Sequence, residues 1–168
     1  MLFSELIRNR YSVRRYKPTP VEQEKLNFVL EAMRLAPSAL NNQPVRFIVL
    51  STKGKKATID KIFDQDWVST APYIIFACAV PSEGWVRSDG LDYTYIDVAI
   101  AMDHLILAAT DVGLGTCWIA SFNAQAVKEF LNLPNGINPV LATPLGYSDT
   151  TPPQKERKPL SDLVKYEC

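Results

Sequence analysis

Residues 96–112 read IDVAIAMDHLILAATDV and run directly into GLGTCWIASF at residues 113–122. Twelve of the seventeen residues in the first segment are apolar, and they lie nearly all round a helix instead of along one stripe. A helix that is apolar on every side is buried on every side. Because the segment is short and contains three aspartates, it does not predict a membrane span. It therefore predicts the central helix of a globular core, with half of a subunit interface as a further interpretation.

The composition is that of one globular domain. The chain has 168 residues, of which 47% are hydrophobic and 21% charged, so we expect residues 1–168 to form a single domain. The formal net charge is zero, which argues against nucleic acid or a membrane surface as a partner held by bulk charge.

The cysteines and the N-terminus favour a cytoplasmic location. Three cysteines without paired spacing do not predict a disulfide framework, and Cys78 and Cys117 lie in apolar runs that predict buried thiols. Arg8 and Arg10 interrupt the only N-terminal apolar stretch, so no signal peptide is predicted. Both observations indicate a reducing compartment.

Half of the eighteen basic residues lie at the two ends of the chain. They are Arg8, Arg10, Arg14, Arg15 and Lys17 at one end and Lys155, Arg157, Lys158 and Lys165 at the other. If the ends meet in the fold, these side chains form an anion site. The alternation in residues 10–16 (RYSVRRY) predicts an extended segment with Arg10, Ser12 and Arg14 on one side. Such a group suits an oxyanion or a polar heterocycle, although a solvated basic edge is the alternative.

A second candidate binding segment follows a helix predicted over residues 21–35. Residues 37–44 (PSALNNQP) have the composition of a loop and are rich in side-chain donors and acceptors. Small residues allow a flat ligand to approach closely, and Asn41 and Gln43 can form hydrogen bonds with its edge. An ordinary turn is the alternative interpretation.

The remaining pattern favours an α+β fold, because strands and helices do not alternate regularly. Pro139 and Pro144 predict that the last strand bends or lies at an edge. Residues 81–95 are polar and aromatic and suit a mobile lid or substrate wall, and the apolar residues of 160–164 suit docking on a neighbouring surface. Further strands are predicted at 46–50, 73–80, 116–122 and 137–145, and further helices at 2–9, 53–63 and 123–131.

Side-chain catalysis is poorly supported by the sequence. The only histidine, His104, lies on the central helix, where a core or interface role is favoured over catalysis. One histidine and scattered cysteines do not predict a metal site, and neither a nucleophile elbow nor a phosphate-binding P-loop occurs. An anion site and a flat-ligand loop without acid–base groups indicate a cofactor that carries the chemistry.

Three segments give the chain a resemblance to a known family. Residues 10–16, residues 36–44 (APSALNNQP) and residues 96–102 leading into 113–118 (GLGTCW) resemble the FMN-dependent nitroreductase family, in matching order from Leu6 to Leu163. The resemblance implies an α+β fold with a mixed or antiparallel central sheet flanked by helices. It also implies an intertwined homodimer with two FMN sites at the subunit interface.

The resemblance also assigns roles in FMN binding. Arg10 and Ser12 hold the phosphate and ribityl chain, Arg14 lies near the flavin N1/O2 edge, and Lys155 and Arg157 close on the phosphate. The loop residues come from the other subunit, and backbone N–H groups at Ala120 and Ser121 point to the N5/O4 edge. No side chain is assigned a catalytic role. The full set is Arg10, Tyr11, Ser12, Arg14, Pro37, Ser38, Ala39, Asn41, Ile119, Ala120, Ser121, Lys155 and Arg157.

The implied activity is an oxidoreductase reaction with a ping-pong mechanism. NAD(P)H delivers hydride to flavin N5, and a small oxidised acceptor, a nitroaromatic or a quinone, then takes it. Ala120 stands where the family commonly has glycine, and the chain is short. These departures leave open an FMN-binding carrier or redox-responsive protein without turnover. A specialised flavin enzyme of the same family is a further alternative.

Overall fold

The computed structural model describes residues 1–167 and contains a four-stranded sheet covered by helices. The strand order is β1-β2-β4-β3, and every neighbouring pair is antiparallel, as expected for the predicted α+β class. Cys168 lies outside the described residues. The strands are β1 (Val45–Ser51), β2 (Tyr73–Ala79), β3 (Gly115–Thr116) and β4 (Asn138–Gly146), and the helices are α1 (Phe3–Asn9), α2 (Gln23–Arg34), α3 (Lys56–Ile62), α4 (Thr94–Asp111) and α5 (Ala124–Phe130).

Strand β2 is buried on both faces, which explains its continuous apolar sequence. One face contributes Ile75 to a core shared with α2 and α4. The opposite face contributes Phe76 to a second core, where its ring packs against those of Phe63 and Phe122. Cys78 is a buried free thiol, as predicted, and burial raises its pKa to about 11.

Helix α4 confirms the predicted central helix, but it is not covered on every side. Met102 and Leu105 are fully buried against the sheet, whereas Tyr95 and Ile96 are 45% and 38% exposed. The outward side of α4 therefore remains accessible in one chain, and its burial in a subunit interface stays a prediction. None of the helices in residues 1–167 is long and apolar enough to cross a bilayer.

The two prolines of β4 do not place it at an edge, because β4 lies between β2 and β3. The irregularity in this strand is a shift in the pairing register of β2 and β4 at Ala77/Cys78, next to Pro139. Strand β3 pairs only with Leu145 and Gly146, so most of β4 has one strand neighbour. The strand expected at 116–122 is also short. Beyond β3 this segment forms only a single bridge to β4 within the described residues.

The N-terminal segment is extended, as predicted, and is fixed between two later parts of the chain. The Val13 N–H donates to the Thr116 carbonyl at 2.8 Å, and the Lys17 N–H donates to the Tyr147 carbonyl at 2.9 Å. Val13 is 1% exposed, and it packs directly on Gly115. A Cβ atom at Gly115 would lie 2.6 Å from the Val13 Cγ2 atom, which is too close for any real contact.

This close approach predicts that Gly115→Ala destabilises the fold. The added methyl group must displace Val13, and overpacking of this kind costs about 1–3 kcal/mol in the free energy of unfolding. Urea denaturation of each variant measures the loss. In a Val13→Ala background the same Gly115→Ala change costs much less, because the two methyl groups it meets are gone. Equal losses in both backgrounds would contradict the proposed packing.

Candidate functional site

The two basic ends of the chain meet. The Lys155 ammonium group donates to the carbonyl oxygen of Arg8 at 2.7 Å and also to that of Arg10. Desolvation lowers the pKa of Lys155, and the positive charges of Arg10 and Arg157 lower it further. These three side chains therefore lie close enough for their charges to interact, as the sequence predicted for an anion site.

Ser12 pairs with Thr116, which places the extended segment that carries Arg10 and Arg14 beside Cys117. Burial raises the pKa of the Cys117 thiol, and the charge of Arg14, the Ser12 side chain and the charge of Arg10 offset part of that rise. Arg10 also acts on the pKa of Lys155, whose ammonium group is bonded to the Arg10 carbonyl. That Arg10, Ser12 and Arg14 share one side stays a prediction.

The cationic groups of this cluster lack acidic partners. Within residues 1–167, Arg10, Arg14, Lys155 and Arg157 form no salt bridge. By contrast, other basic side chains are paired with carboxylates at 3.1 Å or less, among them Arg15 with Asp149, Arg34 with Glu31, Arg46 with Glu83 and Arg87 with Asp89. A concentration of uncompensated positive charge is the electrostatic environment that an anionic group requires.

Tyr11 helps to join the two ends. Its hydroxyl lies 2.7 Å from the Ser148 Oγ atom and donates to the Thr150 carbonyl at 2.5 Å. Arg15 donates to the Asp149 carbonyl at 2.7 Å. These contacts hold the segment after β4 against residues 11–15, so the polar groups of Tyr11 serve the scaffold of the cluster.

The loop over residues 37–44 has an unusual backbone. Leu40, Asn41 and Gln43 have φ angles of 52°, 57° and 52°, in the left-handed region that side chains other than glycine rarely adopt. Such residues cost about 1–3 kcal/mol each and persist only where the surroundings fix them. Ser38 fixes one end of the turn, because its Oγ atom accepts from the Gln43 N–H at 2.9 Å.

A buried carboxylate fixes the middle of the same loop. Asp97, in the first turn of α4, accepts a hydrogen bond from the Ala39 N–H at 3.0 Å and is 3% exposed. From the sequence Asp97 is only one of three aspartates in residues 96–112, and this contact was not predicted. An acidic residue inside an otherwise apolar helix was the available signal. Asp97 and Ser38 also line a cavity of about 350 Å³ between the loop, α2 and β1.

Only part of the third predicted segment is accessible. The Ile119 N–H donates to the Ala142 carbonyl at 2.9 Å, and its side chain is 7% exposed in the core. Ala120 and Ser121 are exposed, and within the described chain their N–H groups have no backbone hydrogen-bond acceptor. The N–H groups of Ala120 and Ser121 are therefore free donors at the surface. Ile119, directly before them, is hydrogen-bonded to β4.

In one chain, the loop and the basic cluster lie at opposite ends of the sheet. The loop ends where the Val80 N–H donates to the Pro44 carbonyl, beside the pairing of Ala79 with Asn138. The basic cluster adjoins Thr116, which pairs with Leu145. From Asn138 to Leu145 the strand rises roughly 23 Å, at about 3.3 Å per residue.

His104 is exposed, so the prediction of a core histidine is wrong. Its Nδ1 atom lies 3.0 Å from the Ile100 carbonyl oxygen, one turn earlier on α4. An interface role stays a prediction. The residues that surround His104 form an apolar groove on the outward side of α4, which we call the α4 groove: Tyr95, Ile96, Ala99, Ile100, Asp103 and Trp118.

Residues 81–95 do not form an open loop, because the part that precedes α4 folds back on itself. Val86 pairs with Asp92, and the Trp85 and Tyr93 rings are in contact with centroids 4.9 Å apart. Arg87 is paired with Asp89. The role of this stretch as a lid or substrate wall stays a prediction. Within residues 1–167, no group of three or more histidine, cysteine or acidic side chains could hold a metal ion.

Comparisons with known proteins agree with this geometry. A family model described as Nitroreductase family matches residues 7–68 and 63–147. The FMN reductase [NAD(P)H] of Bacillus subtilis strain 168 is 30% identical over 165 residues, which cover 88% of this chain and 66% of that relative, just under two thirds of its length. A crystal structure of a nitroreductase family protein from Clostridium difficile 630 superposes with a TM-score of 0.91 at 37% identity, covering 100% of this chain and 99% of that one. A second such structure, from Clostridium novyi NT, has a TM-score of 0.81 at 37% identity and covers 89% and 86%.

Proposed function

Since this chain belongs to the nitroreductase family, we propose that it passes hydride from NAD(P)H to a nitroaromatic or quinone acceptor in two separate half-reactions. The protein is an NAD(P)H-dependent oxidoreductase, and its cofactor is FMN. One observation carries the proposal for this chain: four cationic side chains from the two ends are assembled without acidic partners. That cluster suits the phosphate of FMN.

The composition of the cluster fits a phosphate dianion. Arg10 and Arg157 can each donate two parallel hydrogen bonds to phosphate oxygens. Lys155 has three donors, of which two are used by the carbonyl groups of Arg8 and Arg10. The third remains available to an anion. A hydrogen bond to a charged group contributes about 1.5–3 kcal/mol, so several such bonds hold a cofactor without covalent attachment.

Bound FMN supplies the hydride chemistry, and the protein supplies binding, orientation and charge stabilisation. In this proposal Arg14 would stabilise negative charge at the N1/O2 edge of the ring. The free N–H groups of Ala120 and Ser121 are suited to donate to its N5/O4 edge. Burial raises the pKa of the Cys117 thiol, and the proposal assigns it no role in the reaction.

We propose that a second copy of the chain completes each site. Within one chain, Ser38 and Ala39 lie at the end of the sheet opposite to the basic cluster, so the loop that packs on a flat ring must come from elsewhere. The α4 groove is a suitable surface for that copy, because it exposes the apolar side chain of Ile96 on α4 and that of Trp118 beside it. Leu160 and Leu163 in the tail are 68% and 66% exposed and suit docking on the second copy.

Purified protein should carry the absorbance bands of oxidised flavin, and NAD(P)H should bleach them without oxygen. Addition of a nitroaromatic or a quinone should then restore the bands without further nucleotide, because the two half-reactions are separate. Stopped-flow absorbance follows both steps. If FMN is bound but neither NADH nor NADPH bleaches it, the oxidoreductase proposal fails and a non-turnover FMN protein is favoured.

The double change Arg10→Gln and Arg157→Gln should weaken FMN binding by roughly a hundredfold or more. Two charge-assisted hydrogen bonds are lost, each contributing about 1.5–3 kcal/mol. Quenching of flavin fluorescence on titration measures the affinity. Arg87→Gln is the control, since Arg87 is paired with Asp89 outside the cluster and its loss should leave the affinity unchanged. Equal affinity in all three proteins would refute the phosphate assignment.

The protein should have twice the mass of one 18.8 kDa chain in light scattering. Ile96→Asp should reduce the mass to that of one chain, because it places a charge in the α4 groove where the second copy packs. Val49→Asp provides a control at 36% exposure, close to the 38% of Ile96, but on strand β1. Wild-type protein with the mass of one chain at all concentrations would contradict the shared site.

A further inference from the structure

Asp97 makes the long-range hydrogen bond of the loop. Within residues 1–167, the other hydrogen bonds of residues 38–43 are internal, such as that from the Gln43 N–H to Ser38 Oγ, or join Gln43 to Val45 at the start of β1. The Ala39 N–H instead donates to Asp97 Oδ1 at 3.0 Å, across 58 positions of sequence. The left-handed residues follow Ala39 directly, so this contact holds the backbone where its conformation is least favourable.

The second oxygen of the same carboxylate has no partner. Asp97 Oδ2 is buried and receives no hydrogen bond from the described residues. A buried charge with an unsatisfied oxygen destabilises a fold relative to an apolar side chain of similar size. The N-terminus of α4 offsets part of this penalty, because its dipole favours a negative charge in the first turn. Stability alone therefore does not explain a carboxylate at this position.

The location of Asp97 connects it to the binding surface. Its carboxylate lines the same cavity as Ser38 and Gln43, on the inner side of the loop. The outer side of the loop is exposed, with Leu40 at 77%. A group that fixes Ala39 from within therefore sets the position of the small residues that the loop presents outward.

We propose that Asp97 is a positioning residue for the flavin loop: it holds the Ala39 amide so that Ser38 and Ala39 form a fixed surface against the ring of FMN in the second copy. This inference rests on the proposed function for the identity of the ligand. The effect on the loop itself does not depend on any ligand, so the two can be tested separately.

The loop is tested first in the FMN-free protein by hydrogen–deuterium exchange of peptides that cover residues 36–47. Asp97→Leu should speed exchange in the loop roughly tenfold, the factor that corresponds to the loss of one ordinary hydrogen bond. Asp97→Asn should remain near the wild-type rate, because the amide oxygen still accepts from the Ala39 N–H. Asp64→Leu is the matched control, as Asp64 is an exposed carboxylate between α3 and β2.

The thermal midpoints of the FMN-free variants separate positioning from general stability. Asp97→Leu should melt at or above the wild-type midpoint while its loop exchanges faster, a combination that a purely structural role does not produce. If Asp97→Leu fails to fold, Asp97→Ala takes its place in the same comparison. Unchanged loop exchange would overturn the inference, as would a parallel loss of stability and protection that Asp97→Asn does not restore.

The affinity of the Asp97 variants for FMN then tests whether the position of the loop affects cofactor binding. Asp97→Leu should weaken FMN binding roughly tenfold, and Asp97→Asn should bind nearly as well as wild type. Loop exchange that responds as expected with unchanged FMN affinity would overturn the proposed purpose of the contact. If wild-type protein binds no FMN, the proposed function fails, and the exchange data still decide whether Asp97 positions the loop.

Discussion

The docking of the N-terminal segment on the end of the sheet is the constraint on which the candidate site depends. Val13 fills the space left by Gly115, and its N–H group bonds to Thr116. This fixes Arg10 and Arg14 beside Cys117 and gives the Lys155 ammonium group its carbonyl partners. Burial and, after it, the positive charges of Arg10 and Arg157 lower the pKa of Lys155. The charge of a bound anion acts in the opposite direction, because it favours the protonated lysine.

Helix α4 connects this cluster with the loop at the other end of the molecule. Near its C-terminus, Asp111 pairs with the N-terminal amine at 2.9 Å, and near its N-terminus Asp97 bonds to Ala39. Asp97 thus holds the loop that we assign to FMN binding, whereas Asp111 holds Met1, which precedes α1 and the basic segment. The two aspartates are 14 residues apart, about 21 Å along the helix. The exposed side of α4 includes the α4 groove, where we propose that a second copy packs.

The sequence predicted the elements that carry continuous apolar patterns, and it failed where a neighbour decides the outcome. Strand β2 was recognisable because burial on both faces leaves an uninterrupted apolar run, and helix α4 because twelve of the seventeen residues at 96–112 are apolar. The position of β4 was not, since the prolines that suggest an edge are tolerated where β3 is too short to pair with them. Asp97 was missed because its partner is a backbone amide, which no side-chain pattern reveals. The charge at the two ends indicated an anion site only on the condition that the ends meet, and the free N–H groups at Ala120 and Ser121 were assigned by resemblance alone.

The attachment of residues 10–17 also sets the order in which the chain can reach its final arrangement. Their backbone partners, Thr116 and Tyr147, are more than 100 positions away in the sequence. During synthesis, residues 10–17 must therefore wait without these partners until Thr116 and Tyr147 have emerged. Pairing across so many positions closes a long loop, which slows its formation. Through that interval the arginines of the segment remain hydrated, which opposes aggregation of the nascent chain.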